Sequence, residues 1–191
     1  VEKERKHQII RAAIKRFSKH GIKKTTLDEV ARDLRIGKAT IYHYFSSKEE
    51  LYFESIKSEI LSLTSDIRLI FENEDMQLNL KFTEFFLLIE SIRDKYRLLF
   101  AVLVEDLKGT IFEDEKELLN SFISVEREII TGAYKTAKPK SAEEELAELT
   151  SFIIKQSLAL LFASQITSPV LQGGRNSQTE QFAKAITSFI S

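Results

Sequence analysis

Ile36-Gly37-Lys38-Ala39-Thr40-Ile41-Tyr42-His43-Tyr44-Phe45 holds one lysine, one threonine, a histidine and two tyrosines, and no acid. Ile41 and Phe45 stand four apart, so a helix through this stretch hides both and leaves the polar groups outside. Donors and ring faces without a competing carboxylate suit the surface of a polyanion. Upstream, Thr26-Leu27-Asp28-Glu29 has the spacing of a capping box. The threonine oxygen can accept from the third backbone N–H while the glutamate reaches back. The helix it opens turns Leu27, Val30, Ala31 and Leu34 inward and stops near Arg35, and Ile36-Gly37 makes the turn. Ala31 falls where the two helices cross, and its small side chain permits close approach. Two short helices joined this way have helix-turn-helix logic, in which the second offers its outer face to the major groove.

Helix one is expected from Lys3 to Lys19, with Ile10, Ala13, Ile14 and Phe17 as its apolar stripe and His20-Gly21 as its end. Ser47-Lys48-Glu49-Glu50 reads as a second capping box. It opens a long fourth helix whose stripe is Phe53, Ile56, Ile60, Leu63, Ile67 and Ile70, with a break at Asn73-Glu74-Asp75. Further helices are expected over Met76–Arg93, Lys95–Leu107, Glu115–Ala137, Ala142–Ile166 and from Gln178 onward, the last two capped at Ser141 and Ser177. The linkers are Lys138-Pro139 and Ser168-Pro169 through Gly173-Gly174. The reading is all-α, about nine helices and no strands.

Charge divides the chain. Residues 1–50 hold 13 Lys and Arg against 7 Asp and Glu, and residues 51–191 hold 15 against 22. A basic head points to nucleic acid or an anionic membrane. The body is acidic and holds twelve of the 14 Phe. All three histidines lie in the head and there is no cysteine, which removes disulfides, thiolate metal sites and cysteine catalysis. An enzyme would have to rest on Asp, Glu, Lys, Ser or Tyr of the body, and no spacing there suggests a triad, a metal site or a cofactor. The start, Val1-Glu2-Lys3-Glu4-Arg5, is rich in charge and lacks the apolar core of a signal peptide. The longest uncharged stretch, Gln156 to Gly174, is interrupted by polar residues, Pro169 and Gly173, so no membrane span is expected and the location is read as cytoplasmic.

Thr25-Thr26-Leu27-Asp28-Glu29-Val30-Ala31, then Gly37 to Phe45, then Ser47-Lys48-Glu49-Glu50-Leu51 resemble the TetR family of bacterial transcriptional regulators over roughly residues 5–55. The resemblance implies a DNA-binding head (1–47) and a ligand-binding, dimerising body (48–191). It further implies a homodimer on a pseudo-palindromic double-stranded operator, usually a repressor, released by a small-molecule effector. The alternative is a DNA-binding protein of the same fold with an architectural or protein-binding use and no effector. The family pattern puts Thr26, Lys38 and Lys48 on phosphates, Thr40 and His43 toward base edges, and Tyr42 and Tyr44 on phosphates, sugars or thymine methyls. Ala39 stands in the recognition helix where many relatives carry glycine. Arg35 stands where many helix-turn-helix proteins hold the glycine of the tight turn, and φ > 0 there would cost roughly 1 kcal/mol.

In the body, Phe82, Phe86, Tyr96, Phe100, Phe122, Phe152 and Gln156 are the candidate effector-binding residues, with ordinary core packing as the alternative. Leu149, Ile153 and Leu160, followed by Phe182, Ile186 and Phe189, form stripes on the last two helices. A helix apolar on two sides needs two partners. The family resemblance makes the second partner another copy of the chain.

Overall fold

The computed structural model describes residues 2–140 and 142–163, and these form eight α-helices with no strand among them. They are α1 (Glu2–Lys24), α2 (Leu27–Asp33), α3 (Lys38–Tyr44), α4 (Lys48–Phe71), α5 (Leu78–Lys95), α6 (Arg97–Leu107), α7 (Glu113–Ala137) and α8 (Glu143–Ala163). The expected cap Ser141, the linker at Pro169, the cap at Ser177 and the ninth helix lie outside the described residues, as do the interface candidates Phe182, Ile186 and Phe189.

Packing groups the chain into two compact units, each with its own core. The first takes the residues up to Ser62 together with Tyr96–Leu118; the second takes Leu63–Lys95 and the described residues from Leu119. This grouping does not fall at residue 47, because α6 packs against α1.

In the first unit, Ile9, Ile10, Ala13 and Phe17 of α1 are buried, with Leu27, Val30 and Ala31 of α2 and Ile41 of α3. Gly21 ends the regular part of α1 at φ 72, as expected, but helical geometry resumes to Lys24 beyond the kink. The N-terminal half of α4 buries Leu51, Tyr52, Ser55, Ile56 and Glu59. The expected stripe is therefore rotated: Phe53 and Ile60 are only half-buried. Two buried carboxylates explain the rotation. Glu59 accepts the backbone N–H of Leu99 at 2.7 Å, and also that of Leu98, so it satisfies the open start of α6. Burial pushes its carboxyl up, and the two N–H bonds pull it back. Glu115 accepts the Tyr52 hydroxyl through Oε1 and the Phe112 N–H at 2.7 Å through Oε2, capping α7. Burial, and then the Glu115 carboxylate, hold the Tyr52 hydroxyl far above its ordinary value, so it stays a donor.

The second capping box is displaced. Ser47 Oγ accepts the Glu50 N–H at 3.0 Å, but the Glu50 carboxylate takes the N–H and hydroxyl of Ser46, both at 2.6 Å. One residue earlier than the pattern predicts, the chain offers two donors to the same carboxylate instead of one.

In the second unit, α5 packs against α8. Phe71 stacks edge-on to Phe82 at 5.4 Å and lies 5.5 Å from Phe85, which meets Phe86 at 5.3 Å. Leu146, Ile153, Ile154 and Leu161 of α8 are buried. Along α7, Leu119, Phe122, Glu126, Ile129, Ile130 and Tyr134 form the buried stripe.

Candidate nucleic-acid interface

The head sets its second and third helices by local hydrogen bonds. Thr26 caps α2 in extended geometry (φ −114, ψ 152), and the capping box is complete. Its oxygen accepts the Glu29 N–H at 3.3 Å, while its own N–H and hydroxyl donate to Glu29 Oε2, both at 2.9 Å. Those bonds from Thr26, its backbone N–H first, hold the Glu29 carboxyl below the usual range. Arg16 of α1 then clamps α2 with a two-pronged bond to Asp33, Nε to Oδ2 at 2.6 Å and Nη2 to Oδ1 at 2.7 Å.

α2 ends in a Schellman motif: Ile36 N–H donates to the Ala31 carbonyl at 3.0 Å and Arg35 N–H to that of Arg32 at 3.1 Å. This pattern needs a left-handed residue, and Arg35 supplies it at φ 54, alone among the described non-glycine residues. The turn keeps the tight geometry and carries the strain. Arg35→Gly is expected to stabilise the head by about 0.5 kcal/mol, the αL relief of roughly 1–2 kcal/mol being offset by the freer unfolded chain. Urea unfolding of the two proteins measures it.

α3 starts at Gly37, without a side-chain cap, and buries Ile41 against the head core, with Phe45 just past its end. Its other residues emerge around it. Lys38, Ala39, Tyr42 and His43 are exposed, and Thr40 and Tyr44 half-buried. Lys38 Nζ pairs with Asp28 Oδ2 at 2.7 Å and lies 5.9 Å from the Tyr42 ring centre. Its hydrogen bond to Asp28 raises the lysine above its ordinary value. His43 and Tyr44 meet edge-to-face at 5.0 Å, and His43 Nε2 stands 3.7 Å from Glu2 Oε1. Lys48, at the start of α4, donates to the Ile22 carbonyl at 2.9 Å. In the free protein this lysine ties α4 to the end of α1.

The predicted DNA-contacting residues thus share the head: Lys38, Ala39, Thr40, Tyr42, His43 and Tyr44 lie in α3, Thr26 opens α2 and Lys48 opens α4. The effector candidates divide between the two units. Phe82, Phe86, Phe122, Phe152 and Gln156 belong to the second unit, Tyr96 and Phe100 to the first. Phe82, Phe86, Tyr96 and Phe122 are buried, Phe100 and Gln156 half-buried, and Phe152 is 45% exposed. A cavity of about 640 Å³ in the second unit is lined by other residues, among them Arg68, Phe71, Met76, Lys81, Ile129 and Ala133. On α8, Ile153 is 0% exposed and serves the core of its own chain, whereas Leu149 and Leu160 are half-buried. Sequence reasoning missed the buried carboxylates Glu59, Glu115 and Glu126. For Glu126 the signal was present: it falls in register between Phe122 and Ile130.

A capped helix, a Schellman turn and a recognition helix with an acid-free outer face define a DNA-binding transcriptional regulator of the helix-turn-helix type. The model for "Bacterial regulatory proteins, tetR family" matches residues 9–54. The HTH-type transcriptional regulator YhgD of Bacillus subtilis (strain 168) is 31% identical over 190 residues, covering 88% of this chain and 88% of its own. The chain belongs to the tetR family of bacterial regulatory proteins. IcaR of Staphylococcus aureus (strain Newman), the HTH-type negative transcriptional regulator of the biofilm operon icaADBC, is 29% identical over 167 residues, 83% of this chain and 88% of its own. A transcriptional regulator from Saccharomonospora viridis, solved in complex with choline, has a TM-score of 0.70 at 18% identity and covers 98% of this chain and 96% of its own. That likeness shows the fold. Among the described residues no helix is long and apolar enough to cross a membrane.

Proposed function

We propose that the protein is a homodimeric, cytoplasmic repressor that binds a pseudo-palindromic operator and is released by a small molecule held in the body. The observation that carries the DNA-binding part is the outer face of α3, where Lys38 and Tyr42 stand one turn apart with no acid on that helix. Thr26, Lys38, Ala39, Thr40, Tyr42, His43, Tyr44 and Lys48 form the operator surface in this reading. Lys38 exchanges Asp28 for a phosphate on binding, and Lys48 meets a phosphate from the start of α4. The dimer spaces two recognition helices about 34–36 Å apart, one turn of DNA. Leu149 and Leu160, with Phe182, Ile186 and Phe189, belong to the dimer surface. IcaR's description as a negative regulator supports repression, and the choline complex supports a small-molecule site on this fold. The effector acts through α4, which runs unbroken from Lys48 to Phe71. Binding that favours a displaced α4 shifts the population toward dimers whose heads are wrongly spaced.

The test begins with duplexes selected from a random pool by the full-length protein. Lys38→Ala and Tyr42→Ala are each expected to lower affinity for the selected operator about tenfold. Lys38→Ala also flattens the dependence of log affinity on log salt by about 0.9 for each phosphate the lysine no longer neutralises. Unchanged affinity in both variants at low salt overturns the assignment of α3.

A further inference from the structure

Within the second unit one buried group lacks any structural reason for its charge. Glu126 lies in the middle of α7, 4% exposed, and its Oε1 has no hydrogen-bond partner among the described residues. It occupies a core register: Phe122 precedes it by one turn and Ile130 follows by one turn, both buried. The other buried carboxylates among the described residues, Glu59 and Glu115, each hold backbone N–H groups. Glu126 caps nothing. Among the described residues, the one charge favouring its ionised form is Arg127, the next residue, whose side chain is exposed to solvent.

An unpartnered carboxyl in an apolar interior is unfavourable whether it ionises or takes up a proton without an acceptor nearby. Glutamine or leucine would fit the same register at lower cost. Residues that break the packing rule in this way mark places where function sets the choice. A group entering this interior to satisfy Oε1 must bring positive charge, or a donor, together with apolar surface. The unit is rich in ring faces, Phe71, Phe82, Phe85, Phe86 and Phe122, and ring faces attract cations and not anions.

We propose that Glu126 is the charge-reading group of the effector site and that the effector class it selects is a hydrophobic organic cation. This rests on the reading of the body as an effector-binding unit. A buried carboxylate with an open oxygen distinguishes a cation from an uncharged molecule of the same shape, because only the cation supplies the missing partner.

Phenyltrimethylammonium and tert-butylbenzene make this comparison, since they differ in one atom, N⁺ against C. Titration of the full-length protein at pH 8 is expected to show the cation binding at least tenfold tighter. Glu126→Gln removes that preference by weakening the cation at least tenfold and leaves tert-butylbenzene within about twofold. Glu126→Asp keeps the charge and retains part of the preference. Equal binding of the two probes, no binding of either, or a preference that survives Glu126→Gln overturns the proposal. So does a loss of both ligands together with a lowered melting temperature in Glu126→Gln, which makes the residue structural. The two readings separate on the selected operator. Release by tert-butylbenzene alone sinks the cation and leaves the effector-controlled repressor standing. A Glu126-dependent cation that binds without changing operator affinity sinks effector release and leaves the cation site.

Discussion

Phe17→Ala is expected to destabilise the first unit by about 3–5 kcal/mol and to remove operator binding at growth temperature. Phe17 is 1% exposed and meets the Tyr52 ring edge-on at 5.1 Å. Tyr52 in turn donates to Glu115, so the ring of Phe17 backs a side chain that ties α4 to the start of α7. Removing it leaves a cavity between α1 and α4 and lets Tyr52 tilt away from its acceptor. Domains hold only about 5–15 kcal/mol in all, so such a loss consumes much of the margin. Phe17→Leu, which retains most of the volume, costs about 1 kcal/mol and keeps DNA binding. Urea unfolding of the variants gives the stabilities, and fluorescence anisotropy on the selected operator gives the binding. A Phe17→Ala protein of unchanged stability would mean that α1 and α4 do not pack as described. None of the proposed DNA-contacting residues is altered, so an affinity that falls in proportion to folded fraction separates support of the interface from direct engagement of DNA.

The second large effect concerns pH. Burial pushes the carboxyl of Glu126 up to about 8, from the ordinary 4.5 that it has in the unfolded chain. The folded state therefore binds this proton more tightly. The stability the group contributes is fully present below 4.5, falls as the pH rises, and is lost once the pH passes 8. At roughly 1.4 kcal/mol for each pH unit between the two values, the loss is on the order of several kcal/mol. Glu126→Gln cannot ionise. It is expected to be less sensitive than the wild type between pH 5 and pH 8.5 and more stable than it at the upper end. Denaturation at both pH values and one protein concentration measures this, the concentration being held because dimerisation would add to apparent stability. Parallel curves for the two proteins would show that Glu126 is paired or solvated in solution.

The head was legible because its determinants are local. Thr26 and Glu29 are three residues apart and form the capping box that their spacing implies. Ile41 and Phe45 are both buried, so the direction of the outer face of α3 follows from counting along a helix. Arg35 was marked by standing in a glycine's place, and it takes the left-handed geometry. The body was less legible. Periodicity located its described helices, α4 to α8, to within a few residues but misjudged which way α4 turns. It also could not tell core phenylalanines, such as Phe82 and Phe86, from cavity-lining ones, since both repeat at the same spacing.

By itself the sequence determined the all-helical class, the helix-turn-helix head, the cap of α2, the end of regular α1 at Gly21 and the face that α3 presents. Each depends on residues within about one or two turns of one another, where backbone geometry leaves few choices. Only the tertiary structure decided that Glu59 closes the start of α6 from 40 residues away and that Tyr52 reaches Glu115 across 63. It alone showed that Lys48 holds the Ile22 carbonyl and that Glu126 is buried without a partner among the described residues. These depend on which helix packs on which. Burial by a distant segment gives a carboxylate its partner or withholds it, and no local spacing records that.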